Sequence, residues 1–276
     1  MSKNFLIIAV VAVLFTACNK NSIKKDIFSG YAQKGPFVVG SSVTISELDT
    51  NLNQTGKTYH TTITDNSGSF ELTGIEFVSN YVQLKVEGHY FNEVCGVVSS
   101  PITLYALVDI QDINSANVNV LTHLEKSRVE YLVKQEKKSF FEAKQQAQRE
   151  VLAIFGFMPS NTSSEALNLV NDGMLLAISS ILVTTGRCNI IQFNIVELMA
   201  NISEDIKTDG TLDNTALGTE LINSAWLLLP GNWLISLERI RNNMEARYSE
   251  LGLNVSIPDF ESYITAFANS GLYPIN

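Results

Sequence analysis

The most constraining feature of this chain is a single change of hydrophobic period close to residue 113. Before it, apolar residues alternate with polar ones, the period of a half-buried strand. After it they recur every three or four residues, the period of an amphipathic helix. In the first stretch, residues 42–48 (SVTISEL) set Val43, Ile45 and Leu48 against Thr44 and Ser46. Residues 58–64 are β-branched and aromatic, and Asp65-Asn66-Ser67-Gly68 turns them into residues 69–72, which reads as a hairpin. Residues 81–86 alternate strictly, Gly88 breaks the run, residues 90–94 resume it, and residues 102–108 follow Pro101 as a buried strand. Short strands at this spacing predict an antiparallel β-sandwich over residues 30–113.

The second stretch reads as helices. Residues 118–134 carry Val118, Leu121, Leu124, Val129 and Leu132 on one face. Ser139-Phe140-Phe141-Glu142 has the spacing of a capping box, in which the serine receives the first unpaired amides and the glutamate reaches back. Phe140, Ala143, Ala147, Val151 and Ile154 continue in register until Gly156, where a left-handed residue can end the helix. Residues 174–183 are apolar nearly all round, which marks a buried central helix. Further helices are expected over residues 189–207, 213–229 and 233–251, and a last one runs to Ala268 with Pro258 in its first turn. At the junction, residues 117–122 (NVNVLT) read as a seam, with Asn119 or Thr122 capping the first helix and the valines seating it against the sheet. The expectation is an α+β chain of two domains, the β-sandwich followed by an all-α helical bundle over residues 114–276.

Ahead of both halves lies a targeting pattern. Lys3 gives a positive start, residues 5–15 are unbroken apolar, and Thr16-Ala17 set small residues before Cys18. The apolar run is well short of the roughly 20 residues that cross a bilayer core. Phe15-Thr16-Ala17-Cys18 resembles the lipobox of bacterial lipoproteins, with Phe15 where that pattern usually has leucine. The resemblance implies a signal peptide over residues 1–17, lipidation at Cys18 and membrane anchoring through more than one acyl chain, which makes it stable. Asn19 after the cysteine favours the outer membrane, facing the periplasm or the cell surface. Residues 18–29 then read as a short polar tether.

The strand half resembles the carboxypeptidase-regulatory-like, or transthyretin-like, β-sandwich of bacterial envelope proteins. The matching residues are Lys34-Gly35-Pro36-Phe37, Gly40-Ser41-Ser42-Val43, the segment from Thr64 to Phe70, and Leu84-Lys85-Val86-Glu87-Gly88. They cover less than a third of the chain. The resemblance implies a structural or binding module without catalytic residues.

Charge narrows the partners. A net charge of −9 disfavours nucleic acid and anionic membrane surfaces, both of which select basic patches. Besides Cys18 the chain has Cys95 and Cys188, which can form one bridge in an oxidising envelope or stay two separate buried thiols.

Chemistry-bearing motifs are sparse. His60, His89 and His123 stand far apart with no His-Glu-x-x-His pattern, so no metal site is expected. Asp65-Asn66-Ser67-Gly68 and the aspartates of residues 205–213 lack the order and closing glutamate of a calcium loop and read as turns. The chain has no G-x-S-x-G elbow, P-loop or dinucleotide fingerprint, so no cofactor is expected. The candidate binding segment is Tyr90, Phe91, Asn92 and Glu93, whose adjacent rings fall on opposite faces of a strand. One ring should then point outward beside Asn92 and Glu93, where it can stack on a sugar or meet a protein. The expected function is a lipid-anchored envelope protein with a non-catalytic binding, adhesion or assembly role and a glycan or protein partner. The alternative is an anchored hydrolase acting on glycans or peptides.

Overall fold

The computed structural model describes residues 22–159, 161–184, 195–231 and 236–275. Cys18, the residues 1–17 read as a signal peptide, and Cys188 lie outside them. The described chain is α+β, with the strands first and the helices after them.

Nine strands come first: β1 (Ile23–Gln33), β2 (Ser42–Leu48), β3 (Gln54–Thr62), β4 (Ser69–Phe77), β5 (Tyr81–Gly88), β6 (Phe91–Asn92), β7 (Val97–Val98), β8 (Ile102–Asp109) and β9 (Val118–Asn119). One sheet has the order β4-β1-β9 and a second the order β3-β2-β5-β8; β6 and β7 form a small ribbon. All pairings are antiparallel except that of β1 with β9.

Two strand expectations are corrected. Residues 23–29, read as tether, belong to β1, which lies in the middle of its sheet. Phe28 and Ala32 are fully buried on its inner face. The alternation is masked by Lys25, three positions from Phe28, which is buried as well and sends its Nζ to the carbonyl of Gln111 at 3.2 Å. The expected hairpin of β3 with β4 is a crossing between sheets, since β3 pairs with β2 and β4 with β1. The turn itself is held as its sequence suggests: Asp65 accepts from the Ser67 amide and from Ser69 Oγ, each at 2.8 Å.

The junction segment does what its residues predict. Val118 and Asn119 pair with Ala32 and Gln33 of β1. Asn119 caps α1 (Val120–Lys134) in a reciprocal box with Thr122. Asn117 accepts from the Tyr31 amide at 2.9 Å and donates to the carbonyl of Leu167 at 3.0 Å, tying strand, seam and helical half together. The approach is close enough that a Cβ on Gly30 would sit 2.0 Å from the carbonyl oxygen of Ala116.

The other helices among the described residues are α2 (Phe140–Ile154), α3 (Gly173–Thr184), α4 (Ile195–Asp205), α5 (Thr215–Leu228), α6 (Leu237–Ser249) and α7 (Glu261–Ala268). Ser139 and Glu142 form the expected capping box, and Gly156, with φ +69°, follows the end of α2. Pro258 stands before α7 rather than in its first turn, because Phe260 is the capping residue. The part of the 189–207 helix before Ile195 falls outside the described residues. No helix among those described is long and apolar enough to cross a membrane.

One apolar core runs from the strands into the helices, with Phe28, Val43, Leu84 and Leu104 in the same cluster as Leu121, Leu175, Ile222 and Phe267. A smaller cluster joins Leu48 and Leu107 of the sheet to Val129, Leu132, Phe140 and Ala147. The second cluster docks the inner face of α2, with Phe140 stacked on Tyr81 at 4.6 Å between centroids. The opposite face of α2 is left to solvent.

Candidate functional site

The segment Tyr90–Asn92–Glu93 does not present a ring to solvent. Tyr90, Phe91 and Asn92 are all buried, and Glu93 is fully enclosed. The alternation expected there fails because β6 is only two residues long and Asn92 turns the chain. Its Oδ1 accepts from the amides of Val94 and Cys95, each at 3.0 Å. A helix then covers the segment. Asn243 of α6 donates to the Glu93 carbonyl at 2.9 Å, Arg239 donates to that of Cys95 at 3.2 Å, and the Arg247 guanidinium lies 5.2 Å from the Phe91 ring centre. These three residues recur every four positions and so share one helix face.

Beneath this cover lies a polar node. Lys34 and Glu93 side chains are both 0% exposed, and Lys34 Nζ donates to Glu93 Oε1 at 2.6 Å. Ser179 of α3 donates to the same oxygen at 2.7 Å and accepts from Lys34 Nζ at 3.1 Å. Lys34 follows β1, Glu93 follows β6 and Ser179 belongs to the helical half, so the node ties three parts of the chain at one point. Gly35 makes room for it: its φ is +40°, and a Cβ there would lie 1.7 Å from the carbonyl oxygen of Phe91. Burial pushes the Lys34 ammonium below its ordinary range, against the pull of Glu93. Burial also pushes the Tyr90 phenol up to about 12, with the Glu93 charge adding. Glu93 Oε2 has no hydrogen-bond partner among the described residues. The node is built as an internal tie, and a solvent-borne ligand does not reach it in this conformation.

Cys95, two residues on, is disulfide-bonded, with its partner outside the described residues. This corrects the option of two separate thiols.

The histidines and aspartates form no centre. Among the described residues no group of three or more His, Cys, Asp or Glu is arranged to hold a metal ion. His60 Nδ1 lies 3.1 Å from Thr44 Oγ1, His89 Nδ1 lies 2.8 Å from the Ser99 carbonyl, and His123 stacks on Tyr105. Asp205 accepts from the amides of Asp213 and Asn214, which fits a turn.

A solvent-accessible concavity among the described residues lies elsewhere, along the outer face of α2. It is a groove of about 560 Å³ between α2, the end of β8 and the loop from Pro159 to Glu165. Phe141, Gln145 and Arg149 stand at successive four-residue steps on the outer face, and all three are exposed. Phe141 is 68% exposed, a large value for an aromatic ring on an ordered helix. Lys144 and Gln148 form the inner wall. Gln148 donates to the Thr162 carbonyl at 2.8 Å, which fixes the facing loop. Lys144 is held by Glu125 at 2.8 Å and by Glu165 at 3.0 Å, and Ser164 bonds the other oxygen of Glu125. Burial works against the Lys144 charge, but the two carboxylates outweigh it and raise its pKa. The groove floor is therefore tied by ion pairs and hydrogen bonds, and its outer wall carries uncommitted polar groups. The sequence pattern shows Phe141 only as part of a capping box; its outward position beside inward Phe140 is the signal that marks this face.

No protein-family model, curated protein or solved structure matches this chain.

Proposed function

We propose that this chain is a lipid-anchored cell-envelope protein, held at the outer membrane through Cys18, with a non-catalytic binding role exercised by the α2 groove. In this reading the two larger sheets, with β1 from Ile23 onward and β9 at one edge, form the β-sandwich module, and the helices from α1 onward form a domain that carries the binding face. The observation that carries the reading is the groove itself: an exposed aromatic ring beside uncommitted polar side chains, on a helix docked rigidly by its other face. Such a combination of one apolar platform with a few oriented polar groups is what small-ligand sites use. The disulfide at Cys95 supports an oxidising compartment, as the segment before Cys18 does. The test of the anchor is cell fractionation of the wild type and of Cys18→Ala. The wild type should partition with outer membranes and into detergent, and Cys18→Ala should leave both. An unchanged distribution of Cys18→Ala would remove the anchor from the account.

One observation favours the rival, an anchored hydrolase: Ser179 Oγ and Lys34 Nζ are 3.1 Å apart, a distance at which a lysine can serve a serine nucleophile. Against it, Ser179 and Lys34 are fully buried and both are engaged by Glu93. A fluorophosphonate probe separates the readings. Covalent labelling of Ser179 in the folded protein would support the hydrolase; an unlabelled Ser179 is what the binding reading expects.

A further inference from the structure

We infer that the α2 groove takes a neutral oligosaccharide; this rests on the binding role proposed above and names its ligand class. The groove presents three side chains with planar hydrogen-bonding groups, Gln145 and Arg149 from α2 and Asn161 from the facing loop. None of the three has a hydrogen bond to protein among the described residues. Each can address two neighbouring hydroxyl groups at once, as donor, or as donor and acceptor together. Phe141 supplies a largely exposed ring, and the C–H face of a pyranose stacks on such an aromatic surface. A sugar ring is apolar on its faces and polar at its rim, and the wall repeats that division.

Charge selects the neutral members of the class. The lining holds two carboxylates, Asp109 and Glu165, and two cations, Lys144 and Arg149, so its formal charges cancel. The protein as a whole carries −9, which opposes the approach of an acidic ligand. Length selects an oligosaccharide over a single sugar. Phe141 and Arg149 are eight positions apart on one helix face, about 12 Å at 1.5 Å per residue. One pyranose ring does not span the ring platform and the guanidinium together. A peptide fits less well. An added strand needs an exposed sheet edge, and an amphipathic helix needs a continuous apolar groove. Here the apolar lining is Phe140, Phe141 and Pro159 alone among the described residues, and Phe140 is already stacked on Tyr81.

The test uses the full-length protein in detergent on an array of short neutral oligosaccharides of hexose and N-acetylhexosamine. Sulfated and uronic-acid oligosaccharides and a random peptide set serve as comparators. Binding to neutral members is expected, with Phe141→Ala and Arg149→Ala each weakening it about tenfold or more and Phe141→Trp retaining it. The thermal midpoint should stay unchanged, since both side chains are exposed. Binding of no neutral oligosaccharide, or binding that the three variants leave unaltered, overturns the inference. If peptides alone are bound and Phe141→Ala abolishes that binding, the ligand class is wrong while the binding role stands. If Phe141→Ala alters the binding of no probe of any class, the groove reading falls with it.

Discussion

Removing one partner of the Lys34–Glu93 pair should destabilise the protein far more than removing both. The two side chains are fully enclosed and their charged atoms are 2.6 Å apart. Loss of one leaves the other charge buried without its partner, which costs about 3–5 kcal/mol. The two single losses are unequal, because the orphaned group can escape by changing its protonation. In Lys34→Met the lone carboxyl must take up a proton. From an ordinary glutamate near 4.3, that costs about 3.7 kcal/mol near pH 7, at about 1.36 kcal/mol per unit. In Glu93→Leu the lone ammonium must release one, about 4.6 kcal/mol from an ordinary lysine near 10.4. Glu93→Leu is therefore the worse variant near neutrality, by about 1 kcal/mol. Acidification eases Lys34→Met and alkalinisation eases Glu93→Leu, so the gap between them moves with pH in a direction fixed by the chemistry. In Lys34→Met/Glu93→Leu no charge is left, and Ser179 keeps the Lys34 backbone carbonyl as acceptor at 3.2 Å. That variant should lose less than either single one. Urea unfolding of the four proteins at several pH values, on a Cys18→Ala background, reads the midpoints directly. Two results would refute the reasoning: a double variant whose loss is the sum of the singles, or a gap between the singles that does not move with pH.

Four further outcomes follow from the same structure. Burial, with Lys126 adding, pushes the His123 imidazole down to about 4, so the folded state holds it neutral while the unfolded state protonates it near 6.5. Its contribution is complete above about 6.5 and is lost as pH falls toward 4, by about 3 kcal/mol, and His123→Leu should flatten that limb of the stability profile. Burial would raise the Glu47 carboxyl, but bonds from Thr55, Ser79 and Val78 outweigh it and lower its pKa. The stability it gives is present above the ordinary glutamate range and disappears as pH falls through the depressed value, so Glu47→Gln should blunt acid unfolding at lower pH than His123→Leu does. Gly30→Ala places a methyl against the Ala116 carbonyl, a backbone atom that cannot move aside, and should lose about 3 kcal/mol in denaturant unfolding. Peptide mapping without reductant should recover Cys95 in a cross-linked peptide, and Cys95→Ser should cost about 2–5 kcal/mol. If Cys18 carries a thioether-linked lipid, Cys188 is the partner the map should show, and alkylation of Cys95 before reduction would contradict the bond.

Much of the fold was legible because local chemistry and tertiary structure agree along this chain. Ser139 with Glu142, Asn119 with Thr122, and Gly156 each act within a few residues of themselves, and all three behave as their spacing predicts. β1 was hidden because one buried lysine, Lys25, satisfies its charge on a carbonyl 86 residues away, which no local pattern records. The pairing of β3 was misread for a related reason: the turn at Asp65 is genuine, but a turn states only that the chain reverses, and here it passes between sheets. The Tyr90–Glu93 segment was singled out for its residue types, and it is a node of the structure, but an inward one. What covers it comes from α6, about 150 residues later. The groove went unseen because Phe141, Gln145 and Arg149 gain meaning only when the inner face of α2 docks and the loop after Pro159 rises opposite.

The central claim is an anchored envelope protein, and the mass of its mature N-terminal peptide tests that most directly. The account predicts that the protein isolated from cells begins at Cys18 and that this residue carries a diacylglycerol thioether and an amide-linked acyl chain. A mature chain that begins elsewhere, or a Cys18 with an unmodified sulfur, would contradict it.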